Sequence, residues 1–240
     1  MKIFNWTNIR LLLMFALVIF LFSFTTKRNE ERKLKKSVVF FLNNSSLFVE
    51  EAMVNKLLIQ NYGPLINVPK ENLVLNTMEK VIEANEMVKN AQVYLTMNGE
   101  LTSKILQRKP IGRIEGIAKF YLDDEGKRMP LSNNYSARVP IITGNITGKG
   151  LEDVFVILNY ITEDDFLRKN VIGIHIENEE NYQLRFRMEN FVVNLGDVEG
   201  LEEKFNNFKA FYAKATKDKT LQEYNIVSLE FDNQVVCTKI

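Results

Sequence analysis

Residues 87–113 read MVKNAQVYLTMNGELTSKILQRKPIGR. Val93 and Leu95 alternate with polar neighbours, and Leu101 and Ile105 alternate on the far side of Asn98-Gly99, the pair that favours a type I′ turn. The spacing predicts two antiparallel strands joined at residues 98–99, with the return strand running up to Pro110.

Upstream, Val38 to Leu42 is a short apolar run of β type. Glu50 and Glu51 open a segment whose Met53, Val54, Leu57 and Leu58 share a helical face, and Gly63-Pro64 closes it. Asn76 with Glu79 three residues on resembles a capping box, and Met78, Val81 and Ile82 form the next buried stripe, up to Asn85. The order predicted over residues 37–110 is β-α-α-β-β.

Downstream, residues 111–240 read as a second unit. Ile111 to Leu122 and the turn Asp123 to Gly126 suggest a hairpin, and Val139 to Ile142 another short run. Leu151, Val154, Phe155, Leu158 and Ile161 are spaced as a helical stripe. Ile172, Ile174 and Ile176 alternate as a strand with His175 on its opposite face, and Tyr182, Leu184, Phe186 and Met188 alternate as a strand with one wet face. Phe191 to Leu195 ends at Gly196. Leu201, Phe205, Phe208 and Tyr212 mark a last helix, and Tyr224 to Phe231 and Gln234 to Thr238 form two closing strands.

Before all of this lies LLLMFALVIFLFSF at residues 11–24. From Ile9 to Thr26 the run is 18 residues, roughly 27 Å as a helix, close to the about 30 Å of a bilayer's hydrocarbon core. Trp6 and Arg10 suit the near interface. Lys2 and Arg10 would also suit a cleavable leader, but no small-residue pair marks a cleavage site: Phe24 separates Ser23 from Thr25, and Lys27 and Arg28 follow. The expected plan is a tail at 1–10, a transmembrane helix at 11–26, a solvated basic stalk at 27–36, and folded domains at 37–110 and 111–240. Lys27, Arg28, Arg32, Lys33, Lys35 and Lys36 follow the run, so the positive-inside rule alone predicts a cytoplasmic C-terminal part.

Residues 1–36 hold eight of the 31 Lys and Arg and two of the 30 Asp and Glu, which leaves the remainder mildly acidic. Nucleic acid is therefore not an expected partner. One Cys and one His supply no disulfide and no zinc or nucleophile constellation by the usual spacings. Gly144 to Gly150 (GNITGKG) is one residue short of a phosphate-binding loop and has Gly150 where Ser or Thr should hold Mg²⁺, so it reads as a loop. Asp123, Asp124 and Glu125 crowd into one turn without the facing geometry of paired catalytic acids. His175 reads as a surface strand residue and Cys237 as a buried or edge thiol. No enzyme and no cofactor are expected.

The β-α-α-β-β order beside a membrane anchor resembles a POTRA domain, the polypeptide-transport-associated module. Val88, Ala91, Val93, Leu101, Pro110 and Arg113 match the pattern by which that domain closes in FtsQ/DivIB cell-division proteins. FYLDDEGKRMPLS (120–132), NFVVNLGDVEGLEEKFNNFKAFY (190–212) and YNIVSLEFDNQVVCTK (224–239) are similar to successive segments of the FtsQ β domain, in the style of Bacteroidetes-type bacteria. The fold implied is α+β: one transmembrane helix, a POTRA domain, then an antiparallel-sheet β domain with packed helices.

The resemblance implies a single-pass inner-membrane protein in contact with membrane lipid, N-terminus cytoplasmic and both domains periplasmic, against the charge bias. It implies a non-enzymatic divisome scaffold that binds FtsB and FtsL at the septum and acts through FtsW and FtsI on septal peptidoglycan synthesis. Partner binding would use the last turn and strand: Glu230, Phe231, Gln234, Val235, Val236, Cys237 and Thr238. Glu230 stands where better-known members carry Arg, so a Lys or Arg is expected opposite it. Each of these residues also has a plainer reading, as sheet core for the valines and as a solvated charge for Glu230. The alternative is a POTRA-bearing component of lipid or protein export, although neither repeats nor barrel strands follow here.

Overall fold

A computed structural model describes residues 6–30, 33–42, 48–66, 68–69, 72–178 and 181–240. Residues 1–5 of the tail at 1–10, Lys2 included, lie outside the described residues, as do Glu31 and Arg32 of the basic segment.

Helix α1 (Trp6–Glu30) outruns the expected span at both ends. Thr25 and Thr26 donate their hydroxyls to the carbonyls of Leu21 and Phe22 one turn back, at 2.6 and 2.9 Å, so polar residues continue the helix. Asn8 to Lys27 is long and apolar enough to cross a membrane and buries nothing within the protein. The Arg10 guanidinium lies 5.8 Å from the Trp6 ring centre, a cation–π contact.

The chain divides into two compact units between Gln107 and Arg108. In the first, β1 (Lys36–Phe41), α2 (Glu51–Tyr62), α3 (Leu75–Glu83), β2 (Val88–Leu95) and β3 (Glu100–Gln107) follow the β-α-α-β-β order. The sheet runs β1-β3-β2, with β1 parallel and β2 antiparallel to β3. Val39, Ala91, Val93, Leu101 and Ile105 are buried from the strands, and Val54, Leu58, Met78 and Ile82 from the helices.

Three local expectations are corrected here. The basic segment is not a free stalk: Leu34 is fully buried and donates to the Val68 carbonyl, Lys33 bridges Pro69, and Lys36 already belongs to β1. Asn76 does not cap α3. The helix starts after Val74, and Glu79 spends its carboxylate on the backbone N–H of Val93, a stronger use because that strand-edge donor has no ladder partner. The hairpin turn is not type I′, since Gly99 has φ of 84° while Asn98 stays at negative φ. Gly99 N–H closes a turn onto Thr96, and Thr96 N–H bonds the Glu100 carbonyl, which is a tight turn followed by a glycine bulge.

The second unit is one nine-stranded sheet in the order β12-β11-β10-β9-β8-β7-β4-β5-β6. Its strands are β4 (Pro110–Glu115), β5 (Lys119–Asp123), β6 (Arg128–Met129), β7 (Ile141–Gly144), β8 (Val171–Asn178), β9 (Asn181–Phe186), β10 (Val192–Gly196), β11 (Tyr224–Ser228) and β12 (Val236–Lys239). Pro110 thus opens the second sheet rather than closing the first domain. Helices α4 (Gly148–Glu163) and α5 (Asp165–Asn170) connect β7 to β8, and α6 (Leu201–Asp218) connects β10 to β11. Both connections join parallel strands, and β4 also pairs with β7 in parallel, so the sheet is mixed where an antiparallel one was expected. A helix between two neighbouring strands returns the chain to the start edge, which makes the pair parallel.

The three helices bury their stripes in one cluster with the sheet: Val154, Ile157, Leu158 and Ile161 of α4, Leu167 of α5, and Leu201, Phe205 and Phe208 of α6. Phe208 meets Phe186 at 4.9 Å and Phe205 stacks on Tyr160 at 5.0 Å. Gly112 has no room for a side chain, because a Cβ there would lie 2.4 Å from Leu158 Cδ1. A bulge between Val171 and Gly173 turns Val171 inward and leaves Ile172 exposed, so Ile172 does not share the buried face of Ile174 and Ile176. Met188 lies beyond the end of β9 and is exposed. GNITGKG is strand end, short loop and helix start, with Thr147 Oγ1 accepting from Gly150 N–H as the cap of α4.

Candidate partner-binding edge

The C-terminal segment owes its shape to α6. The helix returns the chain so that β11 lies parallel to β10, with Val227 and Leu229 buried and Leu229 N–H bonded to the Asn194 carbonyl at 2.8 Å. The chain then turns at Phe231–Gln234, where Asn233 holds φ of 59°, and comes back antiparallel as β12. Asn is among the few side chains that tolerate that left-handed geometry. The closing strands are shorter than expected: β11 ends at Ser228 and β12 begins at Val236, leaving Glu230, Phe231, Gln234 and Val235 outside the ladder.

Among the described residues β12 pairs with β11 alone and ends the sheet. Its backbone direction follows from two bonds. Ile240 N–H donates to the Glu223 carbonyl at 2.9 Å, and Leu229 faces β10, so Val236, Thr238 and Ile240 direct their backbone groups toward β11. Backbone groups alternate sides along a strand, so the N–H and C=O of Cys237 and Lys239 point outward. Lys239 Nζ bonds Glu223 Oε2 at 2.7 Å, which pins the strand's end to the sheet.

The expected site residues share this edge but not one surface. Val235 and Cys237 turn inward against the core, while Val236 and Thr238 lie exposed on the other face. Burial pushes the Cys237 thiol above its ordinary pKa, which keeps it protonated and unreactive near neutrality. Phe231 is exposed on the turn. Glu230 accepts from Ser228 Oγ at 2.7 Å and lies over Gly196, where a Cβ would come within 2.9 Å of Glu230 Cγ.

Glu230, Phe231 and Gln234 also line a cleft of about 290 Å³ with Asp197, Glu199, Gly200, Glu203, Lys204 and Asp232. Sequence reasoning missed this acidic rim, although residues 196–204 (GDVEGLEEK) carried the signal. Lys204 Nζ holds Asp197 Oδ1 at 2.6 Å; that bond lowers the Asp197 pKa.

The other chemistry-bearing residues are structural. Asp123 is fully buried; it accepts Arg108 Nη1 at 2.7 Å and the N–H groups of Glu125 and Lys127 at 3.0 and 2.7 Å. His175 Nδ1 meets Thr143 Oγ1 at 3.0 Å across β7 and β8. Among the described residues no group of three or more His, Cys, Asp or Glu side chains is placed to hold a metal ion.

Two family descriptions match the chain. A POTRA-like domain matches residues 38–105, and the family described as FtsQ/DivIB, C-terminal related, matches residues 109–238. No curated protein sequence matches significantly. The second match covers more than half of the chain, over the mixed sheet up to Thr238 of its terminal strand, and the chain therefore belongs to the FtsQ/DivIB family of cell-division proteins.

Proposed function

We propose that this protein is a non-enzymatic divisome scaffold that captures FtsB, in complex with FtsL, by adding a strand of the partner to β12. Helix α1 and the family assignment fit a bitopic inner-membrane protein. In this reading the N-terminus is cytoplasmic and both folded units are periplasmic, where the complex influences FtsW and FtsI and hence septal peptidoglycan synthesis.

The observation that carries the reading is the outward backbone of Cys237 and Lys239 on a terminal strand with no further strand beside it among the described residues. An open edge offers paired donors and acceptors to another chain, and neighbouring side chains set which chain is accepted. Val236 and Thr238 would supply side-chain contacts on one face and Phe231 an aromatic anchor at the turn. Glu230 and the acidic cleft favour a partner segment with Lys or Arg beside its strand.

The test is Cys237→Pro. Proline removes the outward N–H, leaves the inward donors of Val236, Thr238 and Ile240, and is tolerated on an edge strand. The full-length variant should retain its unfolding transition and fail to co-purify the organism's own FtsB–FtsL pair. Undiminished co-purification would rule out capture by strand addition.

A further inference from the structure

We infer that the end of the first unit nearest α1 docks on the surface of the bilayer that α1 spans, with Ile66 and Met97 as apolar contacts and Lys33, Lys35 and Lys36 facing anionic headgroups. This rests on α1 being a membrane anchor. The path of the chain restricts the geometry. Helix α1 is continuous to Glu30, and Lys33 is already bridged to Pro69. Three residue steps reach at most about 11 Å, and the helical turn after Lys27 adds roughly 5 Å. The first docked residue of the unit is thus held within about 15 Å of the hydrocarbon boundary; the headgroup layer fills roughly 6 Å of that, which leaves about 9 Å, close to the Debye length of about 8 Å at physiological salt.

The same end gathers the remaining groups. Leu34 N–H bonds the Val68 carbonyl at 3.0 Å, which brings in the turn that carries Ile66. Lys35 N–H bonds the Gly99 carbonyl at 2.8 Å, which brings in the hairpin tip that carries Met97. Ile66 is 62% exposed and Met97 84% exposed, beside exposed Lys33, Lys35 and Lys36. Apolar side chains at the tips of two turns, with Lys33 and Lys35 beside those turns and a membrane helix as tether, fit an anionic lipid surface: the tips enter the headgroup layer and each lysine adds Coulomb attraction.

The test uses the full chain carrying Cys237→Ser, one copy per nanodisc, with a nitroxide on Asn98→Cys. Discs contain phosphatidylcholine with or without phosphatidylglycerol, and broadening by dissolved oxygen is compared with broadening by a water-soluble nickel chelate. The label should be shielded from nickel in phosphatidylglycerol discs. Ile66→Asp with Met97→Asp should restore access, and Lys35→Gln should lower the docked-to-free ratio about fivefold. A nitroxide on Ile19→Cys reports on the anchor. A lipid-shielded position 19 with nickel-accessible position 98 overturns the docking alone, whereas an aqueous position 19 overturns docking and anchor together. Shielding at 98 that appears only in discs holding two chains would assign the surface to a second copy and overturn the lipid assignment.

Discussion

The backbone N–H of Val93 donates to Glu79 Oε1 at 2.7 Å, and two residues earlier Ala91 N–H donates to Glu83 Oε1 at 3.0 Å. Helix α3 thereby closes the outer edge of β2 with carboxylates, one helical turn apart where the outward donors of the strand recur. The opposite treatment is seen at β12, whose outward groups meet no such cap among the described residues. One sheet edge is protected against stray pairing and another is left available.

Removing that protection has a measurable cost. Glu79→Ala leaves the Val93 donor unmatched in a half-buried position and should destabilise the first unit by about 1 kcal/mol. Adding Glu83→Ala should also produce concentration-dependent association through the bared edge of β2. Denaturant titration reads the first effect and analytical ultracentrifugation in detergent the second.

Asp123 is the most demanding polar group of the second unit, fully buried with Arg108 and two turn N–H groups on its carboxylate. Asp123→Ala strands the Arg108 charge and should cost about 3 kcal/mol. Arg108→Ala should cost a comparable amount, and the double variant less than the sum, as a double-mutant cycle in urea would reveal.

Tyr212 donates its hydroxyl to Glu189 Oε1 at 2.7 Å, and burial together with that carboxylate pushes its pKa up to about 12. The folded value lies above the ordinary 10.0, so the contribution is fully present below pH 10 and is lost as pH rises toward 12. Tyr212→Phe should lower stability at neutral pH and flatten the alkaline loss, measured by denaturant titrations between pH 8 and about 12.

Asp164 works in the opposite sense. Burial raises its pKa, but the Lys209 ammonium at 2.9 Å and the N–H groups of Leu167 and Phe166 outweigh that and hold it below the ordinary 3.8. Its contribution is present above that value and lost as pH falls through the lower folded one. Asp164→Ala, which removes the α5 cap, should cost about 1 kcal/mol at pH 7 and little in strong acid.

At the proposed interface Phe231→Ala should weaken FtsB–FtsL capture by about 2 kcal/mol if the ring is the anchor. Glu230→Arg should cost about 1 kcal/mol through charge reversal at an exposed position. Titration calorimetry with the purified partner pair measures both, and an unchanged affinity for Glu230→Arg would remove the expected basic residue opposite it.

Periodicity made most of the elements legible. The alternation of Val93 and Leu95, the stripe of Val154, Leu158 and Ile161, and the spacing of Leu201, Phe205 and Phe208 each name an element and its buried face before any packing is considered. The misreadings have local causes. Ile172 shares the spacing of Ile174 and Ile176, and the bulge that separates it from them leaves no mark in an apolar run. Asn98-Gly99 is compatible with more than one turn, and the choice depends on what the flanking strands require. Asn76 and Glu79 have a capping spacing, yet a nearby strand edge claimed the carboxylate. Leu34 lies inside the basic run at 27–36, and nothing beside it in sequence announces the Val68 carbonyl as its partner.

By itself the sequence determined the apolar N-terminal helix, the β-α-α-β-β order of the first unit, most helical and strand faces of the second, and the family. These depend on spacing within a few residues of chain, where side-chain direction follows directly from backbone period. Only tertiary structure decided that β7 pairs with β8 and β10 with β11 in parallel, that α3 seals β2, and that β12 ends the sheet with Cys237 and Lys239 turned outward. Those outcomes depend on hydrogen bonds between residues distant in sequence, and a strand carries no sign of which of its two edges will find a neighbour.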